Sequence, residues 1–89
     1  MRSPRYTKRF QKDVERSKRR GQETSKLKHV IELIVSEAPL PPRLRDHALV
    51  GNYVGRRECH IEPDWLLIYK LDDDKVVIFE RTGSHSDLF

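Results

Sequence analysis

The run Trp65-Leu66-Leu67-Ile68-Tyr69 constrains this chain more than any other stretch. It follows a turn signal, Glu62-Pro63-Asp64, and precedes another, Asp72-Asp73-Asp74. A short run between turns with no polar face reads as a strand that sits inside a sheet and is covered on most of both sides. Whatever else the chain does, it must supply neighbours for that strand and something to cover each face.

The neighbours are close in sequence. Residues from about Tyr53 to Ile61 and from about Lys75 to Thr82 also read as strands, so three consecutive strands run antiparallel. In the first, alternation puts Cys59 and Ile61 on one face, which wants a core, and Glu58 and His60 on the other. In the third, Val77 and Phe79 alternate with Val76, Ile78 and Glu80.

The cover comes from the N-terminal half. Arg5-Tyr6 suits a short strand, and Thr7 is a fair N-cap for a helix from Lys8 to about Arg19. Its apolar stripe is thin, Phe10 and Val14, and its other faces carry Lys8, Arg9, Lys12, Arg16, Lys18 and Arg19. Gly21 interrupts. Thr24 or Ser25 then caps a second helix in which Leu27, Val30, Ile31, Ile34 and Ala38 follow the helical period, and Pro39 ends it. His29 falls on the solvated side. Pro39-Leu40-Pro41-Pro42 is a stiff connection, and Leu44, Leu49 and Val50 anchor the loop that follows, ahead of a Gly51-Asn52 turn. Gly83 to Phe89 reads as an irregular tail. The expected fold is α+β: two antiparallel N-terminal helices packed on a small, mainly antiparallel sheet, as one domain over residues 1–89.

Composition bounds the function. Eighty-nine residues allow one core. Charged residues make up 36% and the net charge is +4, with Lys and Arg crowding the first 28 residues, which favours a polyanion or an acidic protein as partner. One cysteine excludes an internal disulfide and suits a reducing cytoplasm. The apolar runs are far too short to span a membrane, and no apolar signal core follows Met1-Arg2-Ser3-Pro4-Arg5. The expectation is a soluble, cytosolic protein with no membrane partner.

Three of the four histidines, His47, His60 and His85, lie near turns or segment ends in the second half. With Glu58 and Asp64 they form one cluster if the tail folds across the sheet. Histidine gives and takes protons near neutral pH without special tuning. RNA cleavage needs little more: a base for the ribose 2′-hydroxyl, an acid for the leaving 5′-oxygen, a cation for the phosphoryl oxygens, and no cofactor. The same residue types are metal ligands. However, there is no C-x-x-C or H-x-x-x-H pair, and Cys59 and His60 point to opposite faces, so no metal is expected. Trp65 and Phe89 are aromatics on which unpaired bases stack, with a core role the competing reading for Trp65. Arg81 is a candidate phosphate clamp that could equally pair with Glu80 or Asp64.

Asp46-His47, the run Cys59-His60-Ile61-Glu62-Pro63-Asp64-Trp65-Leu66-Leu67-Ile68-Tyr69-Lys70, and Glu80-Arg81-Thr82-Gly83-Ser84-His85 through Leu88-Phe89 resemble the YafQ branch of the RelE/ParE toxin superfamily. The resemblance covers nearly the whole chain and is looser in the helices. It implies the toxin of a type II toxin–antitoxin pair, a ribosome-dependent endoribonuclease that cuts mRNA and stops translation. It also implies a cognate antitoxin, with operator DNA reached only through the toxin–antitoxin complex. Carried onto matching positions, it places His47, His60, Asp64 and His85 in acid–base work, beside Trp65 and Phe89. On this reading His85 is the acid, and Asp64, or His60 oriented by Asp64, is the base. Glu58 stands where relatives carry Asp, so its part is auxiliary. Two alternatives remain: a ParE-like toxin that binds gyrase without cutting RNA, and a nucleic-acid-binding corepressor module.

Overall fold

The apolar run becomes the centre of a five-stranded sheet. The computed structural model describes every residue, Met1–Phe89. In chain order the elements are β1 (Ser3–Tyr6), α1 (Lys8–Arg19), α2 (Thr24–Val35), β2 (His47–Ala48), β3 (Arg57–Glu62), β4 (Trp65–Asp72), β5 (Val76–Gly83) and α3 (His85–Leu88). Strand order is β1-β5-β4-β3-β2, with β1 parallel to β5 and every other pair antiparallel. The expected α+β fold is therefore present, with β4 at its middle.

Both faces of β4 are covered, as an all-apolar strand requires. On one side Phe10, Leu27, Val30, Ile34 and Leu44 pack over Cys59, Leu67, Tyr69, Val77 and Phe79. On the other, Leu66 and Ile68 meet Leu88 of the tail, flanked by Leu49 and Tyr53. The helices close one face and the C-terminus closes the other.

Local sequence accounts for most boundaries. Thr7 caps α1 as expected, its hydroxyl accepting from the Phe10 N–H at 3.0 Å. The same hydroxyl donates to the Glu80 carbonyl at 3.0 Å, which ties the helix start to β5. The cap expected at Thr24 or Ser25 is absent. Glu23 occupies that position with no side-chain hydrogen bond, and Thr24 is already helical. The second helix also stops before Ala38: Glu37 turns left-handed (φ 61°), and the Ala38 N–H closes on the Leu33 carbonyl and the Glu37 N–H on that of Ile34. That pattern ends a helix without needing Pro39.

Three further expectations change. His47-Ala48 is a strand rather than loop, pairing with Glu58 and Arg57 of β3. The tail is helical: the Ser84 hydroxyl accepts from the Asp87 N–H while the Asp87 carboxylate accepts from the Ser84 N–H. Val50 does not anchor its loop, being exposed, whereas Leu44 is fully buried.

Because β1 pairs with only residues 76–79 of β5, the rest of β5 is a bare edge. Side chains of α1 satisfy it. Asp13 accepts from the Thr82 N–H at 3.1 Å, and Arg16 donates to the Thr82 carbonyl at 3.0 Å. An edge met by specific side chains cannot recruit a foreign strand.

Candidate active site

Register brings the site together. Glu58 and His60 stand on the face of β3 away from α1 and α2, and β2 sets His47 directly opposite Glu58. The turn after β3 carries Asp64. The tail, anchored by Leu88 on Leu66 and Ile68, lays His85 beside it. His47, His60 and His85 form a row, with ring centroids 6.2 Å and then 6.0 Å apart, and Phe89 follows His85 at 6.5 Å.

Two carboxylates divide the row. Glu58 is buried, with Oε2 2.9 Å from His47 Nε2 and 4.0 Å from His60 Nε2. The other ring nitrogen of His47 lies 2.7 Å from the Arg45 carbonyl and so carries a hydrogen. With Nδ1 turned to that carbonyl, Nε2 is the atom His47 presents to Glu58. Glu58 Oε1 and His60 Nδ1 are buried without a protein hydrogen-bond partner, which leaves unspent capacity in the middle of the site.

Asp64 acts on His85 alone. Its Oδ1 accepts from the His85 backbone N–H at 2.8 Å and from Nδ1 at 2.6 Å. These bonds, the backbone one first, hold the Asp64 carboxyl below the usual carboxylate range. The ring is thereby fixed with Nδ1 protonated and Nε2 directed away from the carboxylate, the arrangement that supports an imidazolium donor. The expected pairing of Asp64 with His60 is not what the structure has. The carboxylate nearest His60 is Glu58, which lies between His47 and His60.

Two other expected residues move out of the site. Trp65 is 1% exposed, on the helix-covered face, and its indole N–H donates to the Thr82 hydroxyl at 3.0 Å. It is a core residue and offers no ring to a base. Arg81 pairs with neither Glu80 nor Asp64. Its Nε donates to Asp13 at 2.7 Å and a second nitrogen at 3.3 Å, with the side chain 12% exposed and Asp13 5%. A guanidinium committed to a buried carboxylate braces the fold, and the phosphate clamp is withdrawn. Phe89, by contrast, is 64% exposed, with Tyr53 in a T-shaped contact at 5.4 Å, so much of its ring is open to solvent.

Sequence reasoning passed over Tyr53, whose hydroxyl donates to the Leu88 carbonyl at 3.2 Å and holds the tail. It also passed over Arg45, whose carbonyl orients His47. Neither stood out, because one lies in a loop without periodicity and the other acts through its backbone. Arg43 and Arg45 line a cavity of about 260 Å³ next to His60. Cys59 is buried opposite the site and burial pushes its thiol up to about 12, so it is no nucleophile.

The ligating atoms of His47, Glu58 and His60 lie within 4.8 Å of one another, a set that could hold a metal ion. Strand pairing, invisible to spacing rules, creates this grouping. The arrangement as a whole is two proton-transfer groups either side of His60, with one open aromatic.

Comparison with known proteins bears on these observations. The family described as "Bacterial toxin of type II toxin-antitoxin system, YafQ" matches residues 2–89. The mRNA interferase toxin YafQ of Escherichia coli strain K12 is 45% identical over 85 residues, covering 94% of this chain and 91% of that protein. The crystal structure of YafQ from E. coli strain BL21(DE3) superposes with a TM-score of 0.94 at 42% identity, covering 100% and 99% of the two chains. YafQ in the E. coli DinJ–YafQ toxin–antitoxin complex gives 0.91 at 44% identity, covering 99% and 97%. No helix here is long and apolar enough to cross a membrane. With its fold and nearly its whole length in common with these proteins, the chain belongs to the YafQ family of bacterial type II toxin–antitoxin toxins.

Proposed function

We propose that this toxin is a cytoplasmic endoribonuclease that cleaves mRNA in the ribosome and so arrests translation, restrained by a cognate antitoxin. The observation that carries this reading is the row His47–His60–His85 with Glu58 and Asp64 at its two ends. The E. coli relative's name, mRNA interferase, supports the same chemistry. The antitoxin is supported by the DinJ–YafQ complex.

In the proposed reaction the Glu58–His60 pair takes the proton of the ribose 2′-hydroxyl, which attacks the adjacent phosphorus. His85, held by Asp64, gives a proton to the leaving 5′-oxygen. With the His60 and His85 rings in edge-to-face contact, centroids 6.0 Å apart, both imidazoles can reach the same phosphate laid across them. The Arg43–Arg45 cavity beside His60 offers positive charge to the phosphoryl oxygens. Phe89 stacks a base next to the cut. The basic face of α1 suits rRNA phosphates, which would make docking salt-dependent.

The test is inducible expression followed by mapping of 5′ mRNA ends. Cuts positioned by codon are expected, and each of His85→Ala and Asp64→Ala should abolish them and restore growth while circular dichroism stays unchanged. Removing a general acid costs about a hundred- to ten-thousand-fold. If both variants remain fully toxic, the site is wrong. Intact mRNA with DNA damage would favour a gyrase-binding toxin instead.

A further inference from the structure

The last turn of α1 reaches the tail that carries His85. Arg20 grips Asp87 with both ends of its guanidinium, at 2.7 and 3.1 Å, and Arg16 lies 3.6 Å from the same carboxylate. Asp87 is the capping-box residue of α3, accepting from the Ser84 N–H at 2.9 Å. His85 lies between Ser84 and Asp87. A carboxylate that both starts the helix and binds α1 fixes the direction in which the His85 backbone leaves β5.

Gly83 shows how closely the parts meet. A Cβ there would lie 2.6 Å from an Arg16 guanidinium nitrogen, 2.9 Å from Asp87 Oδ2 and 3.0 Å from the Asp87 Cβ. Its φ is not in the positive range that favours glycine, so contact rather than backbone freedom accounts for the glycine. The chain is pared down at this point so that α1 and the tail can touch.

We propose that Arg20, acting through Asp87, is a positioning residue for His85: α1 sets the orientation of the imidazole by holding the tail. The proposal rests on the reading of His85 as the acid for its catalytic consequence, though not for its structural one. Leu88 in its apolar seat and the Tyr53 hydroxyl on the Leu88 carbonyl hold the far end of α3. Asp64 holds the near end through the His85 N–H. Each of these contacts comes from the sheet side. Arg20 and Arg16 are the ones that come from a helix, so they resist a swing of the whole turn across the sheet.

The experiment compares the unmodified chain with Arg20→Ala, Arg20→Lys, Asp87→Asn and the Arg20→Ala/Asp87→Asn double variant. Lys18→Ala serves as control, since Lys18 removes a positive charge from the same helix but pairs with Glu15. Amide hydrogen exchange reads the tail directly. In Arg20→Ala, exchange at His85 and Phe89 should rise about two- to five-fold, the scale of a largely exposed ion pair, with β4 unchanged. Arg20→Lys should recover part of this. In the double variant the effects should fail to add, because both substitutions break one contact. In RNA cleavage, kcat should fall several-fold with KM little changed.

Unchanged exchange in Arg20→Ala and Asp87→Asn would overturn the proposal. So would a fall in cleavage equal to that of Lys18→Ala, which would mark Arg20 as a docking charge. If exchange responds as expected but the unmodified chain cuts no RNA, the clamp stands and the nuclease reading fails.

Discussion

Asp13→Ala should be among the most destabilising single substitutions on the surface of α1, although Asp13 lies outside the site. Its carboxylate is 5% exposed and accepts from Arg81 Nε at 2.7 Å and from the Thr82 N–H at 3.1 Å, with an Arg16 nitrogen 3.2 Å away. Removing it leaves a guanidinium with 12% exposure and a buried backbone N–H without partners. Breaking a buried pair from one side costs about 3–5 kcal/mol, and an orphaned buried N–H about 1–3. The two losses share one carboxylate and do not add, so about 3–5 kcal/mol is expected. A chain of this length has roughly 4–13 kcal/mol to lose. Urea denaturation followed by the fluorescence of the single tryptophan is the assay, in the His85→Ala background so that expression is tolerated. Trp65 reports locally, because its indole bonds to Thr82, the next residue on the same edge. With m near 1–2 kcal/mol/M, the midpoint should fall by about 1.5–5 M. Arg81→Met added to Asp13→Ala should recover part of the loss, since the unpaired charge goes with it. A cost under about 1 kcal/mol for Asp13→Ala, or no recovery in the double variant, would refute the reasoning.

Three further outcomes test other parts of the account. Trp65→Phe keeps most of the core volume and loses the indole N–H, so it should cost about 1–3 kcal/mol in urea denaturation while leaving KM for RNA unchanged; a large rise in KM would restore Trp65 to the binding surface. Gly83→Ala should displace α3 and lower cleavage far more than it lowers the thermal midpoint, as read by paired kinetic and melting measurements. The Asp87 carboxyl is held well below its ordinary range, chiefly by Arg20, and Asp64 is lowered by His85. Carboxyls depressed in the folded state stabilise the tail above their unfolded value near pH 4 and release it as pH falls through the lower folded one. Exchange of the tail amides relative to β4, compared at pH 6 and pH 3, should show this, and no acid-induced loosening would count against it.

How much of this was legible depends on whether a residue signals through period, through chemistry, or only through pairing. The helices signal through period and the central strand through its unbroken apolar run, and both faces of β4 found their cover. Parity placed Cys59 in the core and Glu58 and His60 together. His47-Ala48 is too short to have a period, and its strand exists because β3 offers it an edge. The tail helix did carry a signal: Ser84-His85-Ser86-Asp87 has the spacing of a capping box with Asp in the last position. Asp13 also carried one, as a charge three residues after Phe10 and so near the apolar stripe, where an anion must have a partner. Trp65 could not be assigned by parity, because a run apolar at every position has no polar face to orient it. The Glu58 hub needed two strands in register and could not be read from either alone.

The same limit explains Arg81, and the reason lies in one residue of β5. Tyr69 pairs with Phe79 and Ile68 with Arg81, so Glu80 is left over as a bulge. Simple alternation from Val77 and Phe79 would turn Arg81 toward the core and Thr82 toward the site. The bulge reverses both. Thr82 faces inward, where its hydroxyl accepts from Trp65 and donates to the Leu66 carbonyl at 2.7 Å. Arg81 shares the face of Ile68, beneath the tail, and reaches around the bare edge to Asp13. Glu80, the extra residue, accepts from Arg56 at 3.2 Å and so ties β5 to the segment entering β3. An ordinary strand here would bury a guanidinium among aromatics and leave the indole N–H unmatched. The bulge instead lets α1 close the edge with Asp13 and Arg16, and from that position Arg16 and Arg20 meet Asp87. The bulge in β5 is therefore the step by which a helix covering one face of the sheet comes to hold the histidine lying on the other.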